Sequence, residues 1–173
     1  VIQRGANDDS IMPLLERFRG TPVILRLVEY MDVGNRNEWR PEEVVPSAEI
    51  LERIRARWPV TALPGKYAGE VADRYAYDDG AGEIGFISSV TAPFCGDCTR
   101  ARLSSEGVLY TCLFASDGMD LRAALRAGAS EDELTQRIRE RWARRNDRYS
   151  ELREQLRRKH AHERKIEMHY IGG

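Results

Sequence analysis

Apolar side chains recur at intervals of three and four residues between positions 11 and 18, and Gly20 follows them. This spacing places the apolar side chains on one face of a helix that ends at the glycine. Apolar and β-branched residues flank the helix at 1–4 and 22–30, which is typical of strands. The order strand, helix, strand predicts a βαβ unit with parallel strands. Functional residues of such units gather at the carboxyl ends of the strands, where Glu29 and Asp32 lie.

Two hairpins are predicted downstream, where strand-like segments flank turns rich in glycine. The first pairs 74–77 with 83–90, and the second pairs 100–104 with 108–114. Residues 60–71 show no regular pattern. Helices are predicted at 47–58, 120–127, 130–144 and 150–162, and a last strand at 165–171. Ser130 and Glu133 have the spacing of a capping box, which fixes the start of the third of these helices.

Composition limits the classes of partner. The chain of 173 residues is 42% hydrophobic and 32% charged, with a net charge of −1. No overall field favours DNA, RNA or an acidic membrane, and no apolar run approaches 18 residues, so a cytoplasmic protein without a membrane partner is expected. Basic residues crowd positions 137–165, which leaves two interpretations open: a local anionic partner or a solvated basic helix.

The three cysteines lie within 18 residues, as Cys95-Gly-Asp-Cys98 followed by Cys112. An odd and clustered set argues against a disulfide scaffold and for metal binding in a reducing compartment. Two cysteines three positions apart can bind one metal from a tight loop, and Gly96 is expected to relax that loop. The second hairpin is expected to place Cys112, on its far strand, beside the first pair.

Spacing alone leaves the metal open. Three soft thiolates suit either zinc or an iron–sulfur cluster. A structural zinc site needs a fourth ligand, and His160, His162 or His169 would have to supply it. A cluster held by three cysteines would keep one iron open for a ligand, which favours chemistry over bracing.

Arg100 and Arg102 follow the cysteine pair in a predicted strand, where residues two apart face the same side. Guanidinium groups bind phosphate oxygens in a bidentate manner, so the two arginines predict a polyphosphate clamp beside the metal. The alternative, equally open on these residues alone, is that they pair with local carboxylates such as Asp97 and Glu106.

Several motifs together resemble the radical S-adenosylmethionine GTP 3′,8-cyclase family of molybdenum-cofactor biosynthesis. The resemblance covers essentially the whole chain. The segments that carry it are Arg4–Asp8, Arg26–Asn35, Phe94–Arg102, Cys112–Phe114 and Tyr170–Gly173.

The resemblance implies an α/β fold. Residues 1–35 would be the last βαβ portion of an incomplete TIM-like radical S-adenosylmethionine barrel. Residues 36–173 would form an α+β C-terminal domain that binds an iron–sulfur cluster and GTP.

The resemblance also implies roles for individual residues, none of them catalytic in the strict sense. Cys95, Cys98 and Cys112 match the ligands of an auxiliary 4Fe–4S cluster whose open iron binds guanine. The positions matched to GTP contacts are Arg26, Arg100, Ala101 and Arg102. Met31 matches a position near S-adenosylmethionine, and the tail Gly172-Gly173 is expected to enter the active site, where side chains would not fit.

One departure from the family is large. The radical-generating CxxxCxxC motif is absent from these 173 residues, so the second 4Fe–4S cluster and the S-adenosylmethionine site would belong to an N-terminal barrel half. Since the first residue is also not methionine, the chain is expected to be part of a longer protein. The barrel half would be its partner, and a strand edge exposed without it makes a homodimer an expectation. The alternative function is a zinc-braced three-cysteine binding module without catalysis.

Overall fold

The computed structural model describes residues 1–34, 36–159 and 166–171. The chain forms two compact units. The first contains Val1–Met31 and Trp39–Cys98, and the second contains Asp32–Glu38 and Thr99–Gly173. The expected division near residue 35, between a barrel portion and a C-terminal domain, stays a prediction.

The first unit contains a four-stranded sheet in the order β1-β4-β3-β2. Its strands are β1 (Leu25–Val28), β2 (Val60–Leu63), β3 (Asp73–Tyr77) and β4 (Glu83–Ile87). β1 and β4 are parallel, whereas the other two pairs are antiparallel. The hairpin predicted around residues 78–82 is confirmed as β3 and β4. The prediction of irregular structure for 60–71 is wrong over Val60–Leu63, which form β2. The strand gives no alternating signal in the sequence, because only its first residue, Val60, is buried.

Two helices, α1 (Ile11–Phe18) and α2 (Ser47–Arg55), belong to the same unit. Ile11 and Leu15 of α1 and Ile50 and Ile54 of α2 are members of the buried core, together with sheet residues such as Phe86. The predicted first strand is reduced to a parallel bridge between Ile2 and Glu29. The Ile2 N–H donates to the Val28 carbonyl at 2.8 Å, so the parallel direction of the predicted βαβ unit is confirmed.

The second unit contains a small antiparallel sheet in the order β5-β6-β7. Its elements are β5 (Arg102–Leu103), β6 (Val108–Tyr110), β7 (Met119–Asp120), α3 (Leu121–Arg126), α4 (Glu131–Ala143) and α5 (Arg153–Lys159). The predicted capping box is confirmed, because Ser130 and Glu133 exchange side-chain to backbone hydrogen bonds. The predicted strand at 165–171 is wrong over Met168–Ile171, which form a 3₁₀ turn.

The chain is therefore a mixed α/β protein with two small sheets, and the described residues contain no closed barrel. The second predicted hairpin is confirmed but shorter than expected, because its strands end at Leu103 and Tyr110. Within the described part of the chain, no helix has both the length and the apolar character needed to cross a bilayer.

The turn between β5 and β6 gives a test of this hairpin. Gly107 has a φ of +79°, and a Cβ atom there would lie 2.8 Å from the Arg122 Cβ. Gly128 has a φ of +88° but open space around it. Gly107→Ala and Gly128→Ala should share a backbone strain of about 1–2 kcal/mol. Gly107→Ala should lower the free energy of unfolding by about 1 kcal/mol more than Gly128→Ala does, because of the clash with Arg122. Urea unfolding of both variants measures the difference, and equal losses would contradict the packing described here.

Candidate metal centre

Cys95 and Cys98 lie at the two ends of one tight turn. The 3₁₀ turn Cys95–Asp97 is closed by the Cys98 N–H, which donates to the Cys95 carbonyl at 3.4 Å. Both thiols are half-buried. Gly96, which was expected to relax this loop, does not have a positive φ, and a Cβ atom there would meet nothing within 4 Å. The backbone conformation itself therefore does not require a glycine.

The segment that leads to this turn is held by a buried carboxylate at the end of β1. Glu29 is only 1% exposed. Its Oε2 accepts the backbone N–H groups of Val90 and Thr91 at 2.8 and 2.9 Å. Its Oε1 accepts the Thr91 hydroxyl at 2.5 Å and the Ser47 N–H and hydroxyl at 2.9 and 3.0 Å. A single carboxylate thereby joins β1, the start of α2 and the loop that precedes Cys95.

These hydrogen bonds decide the charge of Glu29. Burial alone raises the pKa of the carboxyl group, but the hydrogen bonds from Thr91, Ser47 and Val90 outweigh burial and lower the pKa below its usual value. Glu29 is therefore ionised at neutral pH, and its charge is satisfied by five donors.

Cys112 lies in a bend after β6, because the strand ends at Tyr110. The prediction that it sits on the strand is wrong by two residues. Its sulfur accepts the Phe114 N–H at 3.4 Å, and a sulfur that accepts hydrogen bonds is typical of thiolate ligands of iron–sulfur clusters. The chain turns back at this point, so Cys112 and Phe114 belong to one compact bend.

The bend is held by an aromatic and ionic network within the second unit. The Phe114 ring stacks on Tyr149 with the centroids 4.5 Å apart and the planes at 16°. The Tyr149 hydroxyl donates to Asp32 Oδ2 at 2.5 Å, and Arg153 Nε donates to Asp32 Oδ1 at 2.8 Å. Asp32 and Arg153 are 3% and 6% exposed. The Arg153 guanidinium also lies 5.5 Å from the Phe114 centroid, within cation–π range.

Sequence reasoning placed Glu29 and Asp32 at the end of the strand but missed Tyr149 and Arg153. The two missed residues fall in and beside the predicted polar helix 150–162, for which an anionic partner and a solvated face were the two interpretations left open. Their four-residue spacing was the available signal, but nothing in the local sequence shows that Arg153 is buried.

The residues of the predicted phosphate clamp belong to the start of the second unit. Arg100 and Ala101 are exposed and precede β5, whereas Arg102 is half-buried in β5 opposite Tyr110. The strand begins at Arg102, so the expected same-face arrangement does not follow from strand geometry. Their role in phosphate binding stays a prediction.

Arg26 and Met31 lie in the first unit. Arg26 is an exposed residue of β1, paired in register with Gly85 of β4. A Cβ atom at Gly85 would lie 3.4 Å from the Arg26 Cγ, so the glycine leaves room for the arginine stem. Met31 is half-buried just beyond the strand. Neither location tests the predicted contacts with GTP or S-adenosylmethionine.

The predicted ligands are divided between the units, with Cys95 and Cys98 in the first and Cys112 in the second. Among the described residues, no group of three or more His, Cys, Asp or Glu side chains is arranged to hold a metal ion. The donor chemistry nevertheless fits a thiolate-bound metal, since two half-buried thiols bracket one turn and the third accepts an N–H. Residues 35, 160–165, 172 and 173, which include His160, His162, Gly172 and Gly173, lie outside the described part of the chain.

The basic segment that begins at Arg137 lines a cleft of about 530 Å³ in the second unit. Two of the arginines that line the cleft form ion pairs with carboxylates that also line it. Arg141 lies 3.7 Å from Asp117, and Arg145 lies 3.1 Å from Asp147. Neither clamp arginine is among the described residues that line the cleft. This pairing favours a solvated surface over a dedicated anion site.

Residues 23–151 match the protein-family model described as Molybdenum Cofactor Synthesis C. The chain belongs to this family. The matched region contains all three cysteines and both clamp arginines, and the family resemblance predicted from those motifs is confirmed.

Curated relatives of this chain carry the name GTP 3′,8-cyclase. One from Xanthomonas axonopodis pv. citri is 56% identical over the whole chain, which covers 50% of that relative. One from Synechococcus sp. (strain CC9605) is 50% identical, with 48% of the relative covered. One from Acidothermus cellulolyticus is 47% identical, with 54% covered. The chain thus spans about half the length of the curated relatives it matches.

The buried carboxylate generates a pH prediction. Glu29→Gln presents an amide N–H₂ to groups that are all donors, so it should lower the free energy of unfolding at pH 7 by about 2–4 kcal/mol. The folded-state pKa of Glu29 lies below the unfolded value of about 4.3. Its stabilisation is therefore present above that value and is lost as the pH falls through the folded pKa. The gap between wild type and variant should close in acid.

Urea unfolding from pH 7 to pH 3 measures that gap. Glu42→Gln is the matched control, because Glu42 is an exposed carboxylate of the same unit. The control should follow the wild-type curve at every pH. A gap between wild type and Glu29→Gln that stays constant into acid would contradict the ionised state of Glu29.

Proposed function

We propose that the chain is the C-terminal half of a GTP 3′,8-cyclase, which converts GTP by radical chemistry to (8S)-3′,8-cyclo-7,8-dihydroguanosine 5′-triphosphate in molybdenum-cofactor biosynthesis. The family match over residues 23–151 carries the proposal. The 56% identity to a relative named GTP 3′,8-cyclase, over the whole chain, supports the same activity. In this proposal the lyase activity belongs to the complete protein.

The cysteines are proposed to hold an auxiliary 4Fe–4S cluster, with Cys95 and Cys98 donating from one turn and Cys112 from the bend after β6. When bound, the cluster supplies an open iron coordination position for guanine. The Phe114 N–H then remains as a donor to the Cys112 sulfur. Three thiols without a fourth cysteine support a cluster with an open position over a closed zinc site.

Arg100 and Arg102 are proposed to bind the triphosphate of GTP, since guanidinium groups pair with phosphate oxygens in a bidentate manner. Ala101 between them has a small side chain, which leaves the nucleotide room to approach the backbone. Arg26 is proposed as a further GTP contact. Its side chain is exposed on β1, the strand that pairs in parallel with β4, and this exposure is compatible with that role.

The remaining proposals concern how this chain joins the N-terminal half of the complete protein. Residues 1–35 are proposed to be the end of the incomplete barrel, and residues 36–173 the C-terminal domain. The parallel bridge between Ile2 and Glu29, within residues 1–35, supports a barrel-type start. Met31 is proposed to lie near S-adenosylmethionine, whose cleavage uses a second 4Fe–4S cluster of the N-terminal half. The Gly172-Gly173 tail is proposed to enter the active site.

Metal analysis tests the cluster directly. Protein purified without oxygen should contain roughly four irons and four acid-labile sulfides per chain, as a 4Fe–4S cluster requires. Cys112→Ser should lose most of this iron, because it removes one of three ligands. One zinc per chain without sulfide would instead favour the zinc-braced binding module.

The clamp is tested by comparing two ligands. Arg100→Ala should weaken GTP binding roughly 10- to 100-fold, the range for losing a hydrogen bond to a charged group. Guanosine, which lacks phosphates, should bind the variant nearly as well as wild type. Arg139→Ala, which removes an exposed arginine of α4, should change neither affinity. Equal weakening of GTP and guanosine by Arg100→Ala, measured by calorimetry, would rule out the phosphate clamp.

A further inference from the structure

Two buried carboxylates lie close together in the chain and face different partners. Glu29 is 1% exposed in the first unit, and Asp32 is 3% exposed in the second. Burying an ionised carboxylate is costly unless hydrogen bonds or an opposite charge compensate it. Each of these carboxylates satisfies that requirement with donors from a segment that is connected to predicted cysteine ligands.

Three of the five donors to Glu29 belong to the segment that leads to Cys95. The Val90 and Thr91 N–H groups bind one carboxylate oxygen, and the Thr91 hydroxyl binds the other. The Ala92 N–H closes the following turn on the Ser88 carbonyl at 3.0 Å. Only three residues separate Thr91 from Cys95, so the carboxylate limits where the cysteine turn can lie relative to β1.

Asp32 is connected to Cys112 through side-chain contacts, whereas Glu29 is connected to Cys95 along the backbone. The Tyr149 hydroxyl and Arg153 Nε bind the two carboxylate oxygens separately. Tyr149 then stacks on Phe114, whose N–H donates to the Cys112 sulfur. The orientation of the tyrosine ring thus depends on Asp32, and the position of the Cys112 bend depends on the ring.

We propose that Glu29 and Asp32 are positioning residues for the cysteine ligands: Glu29 fixes the segment of Cys95 and Cys98, and Asp32, through Tyr149 and Phe114, fixes the bend of Cys112. The proposal rests on the proposed cluster function. It assigns a separate set of cysteines to each carboxylate. If the carboxylates only stabilised the fold in general, losing either one would affect all three cysteines alike.

The separation of the two sets makes the proposal testable without metal. Residue-specific alkylation by iodoacetamide, followed by mass spectrometry, reports the reactivity of each thiol in the metal-free chain. Glu29→Gln should raise the alkylation rates of Cys95 and Cys98 by ~3-fold or more, and leave Cys112 unchanged. Tyr149→Phe, which keeps the stacked ring but removes the hydroxyl, should raise the alkylation rate of Cys112 alone.

Two further variants guard against misfolding and against a general loss of stability. Thr91→Val removes one donor to Glu29 and should give the Glu29→Gln pattern in weaker form. Ser130→Ala removes the cap of α4, which touches neither carboxylate, and should leave all three rates at the wild-type value. The proposal is overturned if Glu29→Gln and Tyr149→Phe raise all three rates together, or raise none.

A second measurement separates this inference from the cluster assignment. In protein that holds iron and sulfide, an iron chelator should bleach the visible absorbance of Glu29→Gln and Tyr149→Phe several-fold faster than that of wild type and Ser130→Ala. Wild-type protein without iron would reject the proposed cluster, while the alkylation pattern would still decide the roles of Glu29 and Asp32. Bleaching at the wild-type rate in both variants would overturn their positioning roles.

Discussion

The ionised carboxylate of Glu29 is the interaction on which the first unit depends. Five donors from two separate segments converge on its two oxygens, so β1, α2 and the loop after β4 have one common fixed point. Hydrophobic contacts bring these segments together, but they are non-directional. The hydrogen bonds to Glu29 specify direction, and the direction matters most for the loop, because it continues into the Cys95–Cys98 turn.

Features encoded by adjacent residues were the ones that sequence reasoning predicted well. The β3–β4 turn at residues 78–82 and the Ser130–Glu133 capping box depend on contacts over at most a few positions. β2 and the final 3₁₀ turn were missed, since their formation depends on a distant strand or on packing. The second hairpin was recognised, but its second strand was predicted too long because β-branched and apolar residues continue beyond Tyr110 to Phe114.

The candidate site divides in a similar way. Metal binding by the cysteines stays a prediction from residue type and spacing, because three thiols within 18 positions are typical of metal sites. The supports of the cysteines do not follow from spacing. Tyr149 and Arg153 lie 117 and 121 residues from Asp32 in the chain, and only the folded unit brings them to its carboxylate. Long-range pairs of this kind leave no periodic pattern in the sequence.

The use of charge at buried positions also has a physical reason. A buried ion pair such as Asp32–Arg153 contributes little net stability, and well-packed apolar residues of similar volume are often at least as stable. Apolar residues would, however, permit the Phe114 ring to slide on its neighbour, since packing has no preferred direction. A carboxylate with one oxygen bound by Tyr149 and the other by Arg153 fixes both rings and the guanidinium at once. Where a sulfur must be held for a metal, directional restraint is worth more than the stability that an apolar core would add.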